Sequence, residues 1–268
     1  MTRGGGLALL SEVYLDEAGT HDGAKVLCMA GYLFTKANAA KFNAEMRLVY
    51  NRYRIPYFHA SEILGGRHKP DGEGIFDHLT APDRDKLARA FIRTVRRRAS
   101  FGFGSTVNEP EYEAMIRRYG NMPSAYGFLL HQMLVLVSAW ARRTGYGGRV
   151  AYFLEDGAKN KGDAIDHLYN RLVETPEKKT KYQFGSFELV NKETAPVVNA
   201  PDILSYHWYR YHERLAKGVK GPRKDLAALL RPQDMVADWA DERMSDLERL
   251  VAEDFWAKLS GQGGGIVI

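Results

Sequence analysis

The sequence predicts an α/β domain built on a mixed β-sheet. Three observations predict it. Five segments, residues 9–17, 26–34, 101–107, 149–155 and 184–190, are apolar-rich and have the length of strands. The first two are joined through the turn Thr20-His21-Asp22-Gly23, which opens the domain with a hairpin. From the third strand onward, strand and helix patterns alternate, as they do when helices cover a sheet.

In the first strand Val13 and Leu15 point one way, and Glu12, Tyr14 and Asp16 the other. The second (VLCMAGYLF) is apolar almost throughout, the mark of a strand buried on both faces. Residues 37–53 then read as a helix, residues 56–63 (PYFHASEI) as extended at their start, and residues 65–74 as an exposed loop. Pro82 sits at a good helix start, and that helix runs to about Arg98. Residues 36–99 are thus a helical insertion after the second strand. After the third strand come a short helix at 111–119 and a long one at 123–143, apolar on nearly every face and therefore buried. Residues 163–173 form an amphipathic helix, and residues 201–215 a helix with Pro201 in its first turn. A last helix at about 233–259 carries Trp239, Leu247, Leu250 and Trp256 as buried positions, inside a C-terminal helical extension at about 220–268.

The 268 residues suit one domain carrying such additions, and an apolar content of 45% supports an ordinary core. Charge and aromatic content exclude a disordered chain. A net charge of +5 leans toward an acidic partner such as nucleic acid. The single cysteine, Cys28, excludes an intrachain disulfide and makes a reducing cytoplasm the expected compartment. The apolar start is too short for a secretory leader, and no run reaches the length of a membrane span.

Three acids stand out. Asp16, with Glu17 beside it, ends the first strand in YLDEAGT; Asp156 follows the fourth in YFLEDG; Asp202 lies in the first turn of the helix beginning NAPDILSYHWYRYH. Each has an ordinary explanation alone: a strand end, an Asp-Gly turn, and a carboxylate complementing a helix dipole. Together they say more, because α/β sheets build their sites beyond the carboxyl ends of the strands. If the first and fourth strands are parallel neighbours, Asp16 and Asp156 come within bridging reach of one cation, and the helix brings Asp202 to the same point. Clustered carboxylates repel unless a cation neutralises them. Oxygen ligands without a thiol favour Mg2+ or Mn2+, and two such ions about 4 Å apart can cleave a phosphodiester.

The stretches YLDEAGTHD, FHASE, LEDG and APDILSYHWYR resemble the prokaryotic family called domain of unknown function 3800. The resemblance covers roughly residues 10–216. It implies a ribonuclease H-like fold with a five-stranded sheet in the order 3-2-1-4-5, and a metal-binding acidic cluster. Carried across, that cluster is Asp16, Asp156 and Asp202. Ribonuclease H proper adds a glutamate on its first long core helix. Here the helix at 123–143 has no acid, only His131 and Gln132, so the fourth ligand falls to Glu17, Glu155 or Glu62.

In FHASE, the insertion folding over the site would make Glu62 a ligand and let His59 handle a proton or a phosphate; the alternative is a capping pattern at Ser61 or Glu62. Arg93, Arg96, Arg97 and Arg98, and Lys178, Lys179 and Lys181, are solvated faces first and phosphate contacts if nucleic acid binds. The aromatics Tyr206, Trp208, Tyr209 and Tyr211 are core first and base-stacking groups second. Asn160 and Lys161 could reach a phosphate near the metal. The expected function is metal-dependent phosphodiester hydrolysis on DNA or RNA. The alternatives are non-catalytic nucleic-acid binding on the same scaffold, or a protein-interaction component that pairs through the C-terminal helix as a homo-oligomer.

Overall fold

The structure, a computed structural model, describes residues 11–21, 23–65, 74–120, 122–156 and 161–239. The chain opens with strands β1 (Ser11–Ala18) and β2 (Val26–Thr35), followed by helices α1 (Lys36–Tyr53), α2 (Ala60–Ile63) and α3 (Ala81–Arg98). Next come β3 (Phe101–Asn108), α4 (Glu109–Tyr119), α5 (Ala125–Thr144) and β4 (Val150–Glu155). Helix α6 (Lys161–His167) runs into a π-helical turn at Leu168–Leu172, ahead of α7 (Pro176–Lys181) and β5 (Phe184–Val190). A 3-10 turn at Pro196–Asn199 leads into α8 (Ala200–Leu215), then α9 (Lys224–Leu229) and β6 (Met235–Trp239). The expected loop at 65–74 lies mostly outside the described residues, as do Asn160, the side chain of Lys161, and Leu247, Leu250 and Trp256, which were expected to be buried. The oligomer expected through that C-terminal helix is outside them too.

The helix starts follow local chemistry. Thr35 and Thr80 cap α1 and α3 by accepting the N–H of Asn38 and of Asp83, and Ser124 caps α5 by accepting that of Gly127. Pro82 and Pro201 occupy first-turn positions, where a missing N–H costs nothing. Helix α5 ends on Gly145 in the left-handed region, at φ 69°.

The strands form one mixed six-stranded sheet in the order β5-β4-β1-β2-β3-β6. The five expected strands stand in the expected order, with β1 antiparallel to β2 and parallel to β4. The sixth is a correction. Residues 235–239 lie where a helix was expected, and they pair in parallel with the outer edge of β3. Side-chain anchors hold this edge: Asp234 Oδ1 accepts the Gly102 N–H at 2.7 Å, and Arg231 pairs with Asp234 at 2.8 Å. Trp239 is buried as expected, but in a strand. Two details fill in what the sequence left open: FHASE ends in a short helix, and the lysines before β5 belong to α7.

Helices cover both faces of the sheet. On one, Val13, Leu15, Tyr152 and Leu154 pack with Leu129, Met133 and Val137 of α5. On the other, Tyr14, Ala30, Tyr32 and Phe34 meet α1, α3 and α8. A chain of rings fixes the FHASE segment to this second face. Phe34 meets Phe42 edge-on, Phe42 meets Phe91, and Phe91 stacks on Phe58 with centroids 4.0 Å apart. Each such contact adds ~1 kcal/mol beyond area burial. The insertion is therefore a packed layer, and it carries His59 and Glu62 toward the ends of β1 and β4. No described helix is long and apolar enough to cross a membrane.

Candidate functional site

The pleat of β1 sets the site. Tyr14 and Asp16 face the α8 layer, where Tyr14 stacks on Phe153 of β4 at 5.0 Å. The parallel register pairs Leu15 with Leu154, so the next residues, Asp16 in β1 and Glu155 at the end of β4, lie side by side. Helix α8 lies across β1 and β2 with Asp202 in its first turn. Asp16 and Asp202 are each only 8% exposed. Ser205 Oγ lies 3.3 Å from Asp16 Oδ2 and 3.0 Å from the backbone carbonyl of Asp202 in its own helix, which sets α8 against β1 at Asp16. Asp202 Oδ2 also accepts the Ala60 N–H at 2.6 Å, which ties α8 to the start of α2.

Four carboxylates act on one another here. Burial, then the charges of Asp202, Glu17 and Glu155, hold the Asp16 carboxyl well above its ordinary range. Burial raises Asp202 to about 6, against the lowering influence of His59 and of the Ala60 N–H. Burial raises Glu17 to about 7, against a hydrogen bond donated by Tyr126. These shifts have the cause expected of acids that lose water and face like charge. Lys192 is the cation among them. Its Nζ lies 2.7 Å from Glu155 Oε1 and 5.2 Å from the centre of the Tyr57 ring. Burial works against the ammonium, but the Glu155 bond and the charges of Asp202 and Asp16 prevail and raise its pKa.

Beside the acids opens a cleft of about 270 Å³, lined among others by Glu17, His59, Asp202, Tyr206, Tyr209 and Arg210. Gly19 closes the turn at its edge with φ +93°, where a Cβ would stand 2.1 Å from the Val26 carbonyl oxygen. His59 Nδ1 is held 2.6 Å from Glu62 Oε1, and its Nε2 is 3.3 Å from Ser61 Oγ. A histidine oriented by a carboxylate can hold or move a proton.

Of the residues singled out in sequence, Asp16, Glu17 and Asp202 come together, with His59 lining the cleft and Glu62 reaching it only through His59. Asp156 does not take its expected place. The β4 acid whose charge acts on Asp16, Glu17 and Asp202 is Glu155, while Asp156 is exposed, one residue past the strand. The reason is the two-residue period: Glu155 follows Phe153 onto the face of Asp16, whereas Tyr152 and Leu154 face α5. On the long helix, His131 pairs with Tyr182 at 2.9 Å, away from the acids. Its first turn instead supplies Tyr126, whose hydroxyl donates to Glu17 Oε2 at 3.0 Å.

Lys192, Tyr126 and Asn199 went unread in the sequence. Asn199 Oδ1 accepts from Tyr50 Oη and from the Phe58 N–H, and its Nδ2 donates to the Lys192 carbonyl at 2.9 Å. One buried amide thus joins α1, the FHASE segment and the Lys192 loop. Its local signal was weak, an asparagine just before a Pro-containing helix start.

Among the described residues, no group of three or more His, Cys, Asp or Glu side chains is arranged to hold a metal ion. The donor chemistry points the other way: the acids offer only oxygen, no thiol lines the cleft, and their mutual repulsion calls for positive charge.

No family model matches the chain, and no curated protein does. Among solved structures, a chain of the PCNA:RNase HII complex from Archaeoglobus fulgidus is similar over 95% of this chain and 92% of its own, at 14% identity and a TM-score of 0.39. That likeness is too distant to carry activity, substrate or partner across.

Proposed function

We propose that this chain is a divalent-metal-dependent phosphodiesterase acting on nucleic acid, on a ribonuclease H-like scaffold. The observation that carries the reading is the burial of the Asp16 and Asp202 carboxyls within reach of each other's charge, at the carboxyl end of the parallel β1–β4 pair. Asp16 and Asp202 are the residues that would hold Mg2+ or Mn2+, with Glu155 and Glu17 as further oxygen donors. When bound, such an ion supplies a water of lowered pKa and offsets charge on the phosphodiester.

The protein's own groups do the rest. Asp202 is fixed by the Ala60 N–H and Asp16 by Ser205. Tyr126 aims Glu17, which can accept a proton from a water. His59, turned by Glu62, can hold a proton at Nε2 for the leaving oxygen. The deciding experiment incubates labelled DNA and RNA oligonucleotides with the protein and Mg2+, Mn2+ or EDTA. Cleavage that needs the metal and disappears in Asp16→Asn supports the reading; full cleavage by Asp16→Asn removes it.

One observation favours a second reading, nucleic-acid binding without cleavage. Lys192 already supplies positive charge at Glu155, and among the described residues no three acids are arranged to hold an ion. That reading expects salt-sensitive binding and no cleavage with any divalent metal.

A further inference from the structure

Helix α8 borders a second hollow. Past the acid cleft, α8 and the β1–β2 turn enclose about 320 Å³, lined by Lys25, Val26, Tyr209, His212, Glu213 and Lys217 among others. Tyr209 lines both hollows and is the wall between them. Its ring meets His21 edge-on at 5.6 Å, and its hydroxyl lies 3.3 Å from His21 Nε2. Tyr206, one turn earlier on the same helix face, lines the acid cleft. The two tyrosines are about 4.5 Å apart along the helix axis.

Charge along this path changes sign. Around the acids it is negative. Beyond Tyr209 it carries Lys25 and Lys217, both exposed, with Arg210 between. Glu213 is the opposing acid there, and it pairs with Arg210 at 2.5 Å. Aromatic rings beside cations in a narrow groove are the combination that binds unpaired bases and their phosphates. Each hollow is only about the size of the smallest ligand pockets, roughly 300 Å³. A double helix, whose major groove alone is about 12 Å wide, is too broad to enter them.

The geometry points to a track for single-stranded nucleic acid: one strand runs from the acid cleft past Tyr206 and Tyr209 to Lys25 and Lys217. This rests on the phosphodiesterase reading and adds its substrate class. Bases stack on the half-buried Tyr206 and pass Tyr209, itself 8% exposed, and the lysines neutralise phosphates on the side away from the acids. The ribose hydroxyl is left to the experiment, whose DNA and RNA arms report it.

The test is fluorescence anisotropy in EDTA, with a labelled oligothymidylate, an oligouridylate and a duplex of equal length, over a salt series. The wild-type protein is expected to bind one of the single strands at least about tenfold tighter than the duplex. Lys25→Glu with Lys217→Glu should weaken that binding about tenfold and make the log–log salt slope shallower by roughly one. Tyr206→Ala should cost about fivefold or more, and Tyr206→Phe should restore it. Lys41→Glu, at an exposed position on α1, should leave binding unchanged. Equal or tighter binding of duplex overturns the track, as does a Lys25/Lys217 reversal no worse than Lys41→Glu. The two readings fail separately. Single strands bound along the track but uncut with Mn2+ sink the hydrolase; duplex cut and bound as well as single strands sinks the track alone.

Discussion

Lys192 Nζ stands 2.7 Å from Glu155 Oε1, and this is the ion pair that neutralises part of a buried acid cluster. Both side chains are mostly buried, at 28% and 16% exposure, so water screens the pair weakly. Lys192→Met leaves Glu155, Asp16 and Asp202 facing one another without it. The expected outcome in EDTA is a loss of ~1–3 kcal/mol, seen as a melting temperature lower by several degrees. Mn2+ should recover more stability in Lys192→Met than in the wild-type protein, because an ion bound only by the folded state adds stability by mass action. An unchanged melting curve for Lys192→Met would show that the pair is incidental.

Asp16→Asn separates catalysis from folding. Asp16 is buried and its charge is opposed by three other acids. Removing that charge while keeping the shape relieves repulsion, so the variant should melt at or slightly above the wild-type temperature. Metal-dependent cleavage should fall by a factor of about a hundred or more, since a ligand or base is gone. Circular dichroism melts beside a cleavage assay decide it. A variant that unfolds outright would mean that Asp16 is a structural acid.

The five strands were legible because each is a local apolar run, and β5 begins and ends at the expected residues. Strand β6 was hidden. MVADW opens a stretch with helical spacing, and what makes it a strand is the edge of β3 and the bond that Asp234 accepts from Gly102, both of which need residues distant in sequence. Asp16 and Asp202 were legible as acids in apolar settings. Glu155 was misranked below Asp156 because the alternation read in β1 was not carried through β4, where Phe153 already marks the face. Lys192 and Tyr126 carry no local mark, since long-range packing alone gives each its partner.

Asn199 is 1% exposed and satisfies three partners at once. Asn199→Ala strands the Tyr50 hydroxyl and the Phe58 N–H in the core, at ~1–3 kcal/mol each when no water replaces the amide. A net loss of ~2–4 kcal/mol by urea unfolding is expected. Asn199→Asp should lose stability as well, because it drops the donor to the Lys192 carbonyl and buries a charge. If Asn199→Ala cost under ~0.5 kcal/mol, the amide would not be what joins the three segments.

His207, on α8, is 3% exposed, and among the described residues neither ring nitrogen has a hydrogen-bond partner. Burial depresses its pKa to about 4; Asp225 acts in the opposite direction and Arg223 adds to the depression. The sign follows from linkage. Between pH 6.5 and 4 the unfolded chain takes up a proton that the folded chain resists, so stability is whole above about pH 6.5 and declines as pH falls toward 4. His131, held near pKa 4 by burial and by the charges of His167 and Lys181, adds a decline of the same sign. His207→Phe removes one of the two titrations and two unsatisfied nitrogens. It should stabilise the protein by ~1–2 kcal/mol at pH 7, and by more at pH 5, because only the wild-type ring is penalised there. Urea midpoints across pH 4–8 test this: the variant's advantage over the parent should grow as pH falls, since the raised carboxyls of Asp202 and Glu17 act with the opposite sign on both profiles alike. Parallel profiles would mean that His207 protonates as readily folded as unfolded, and that its ring meets water or a partner after all.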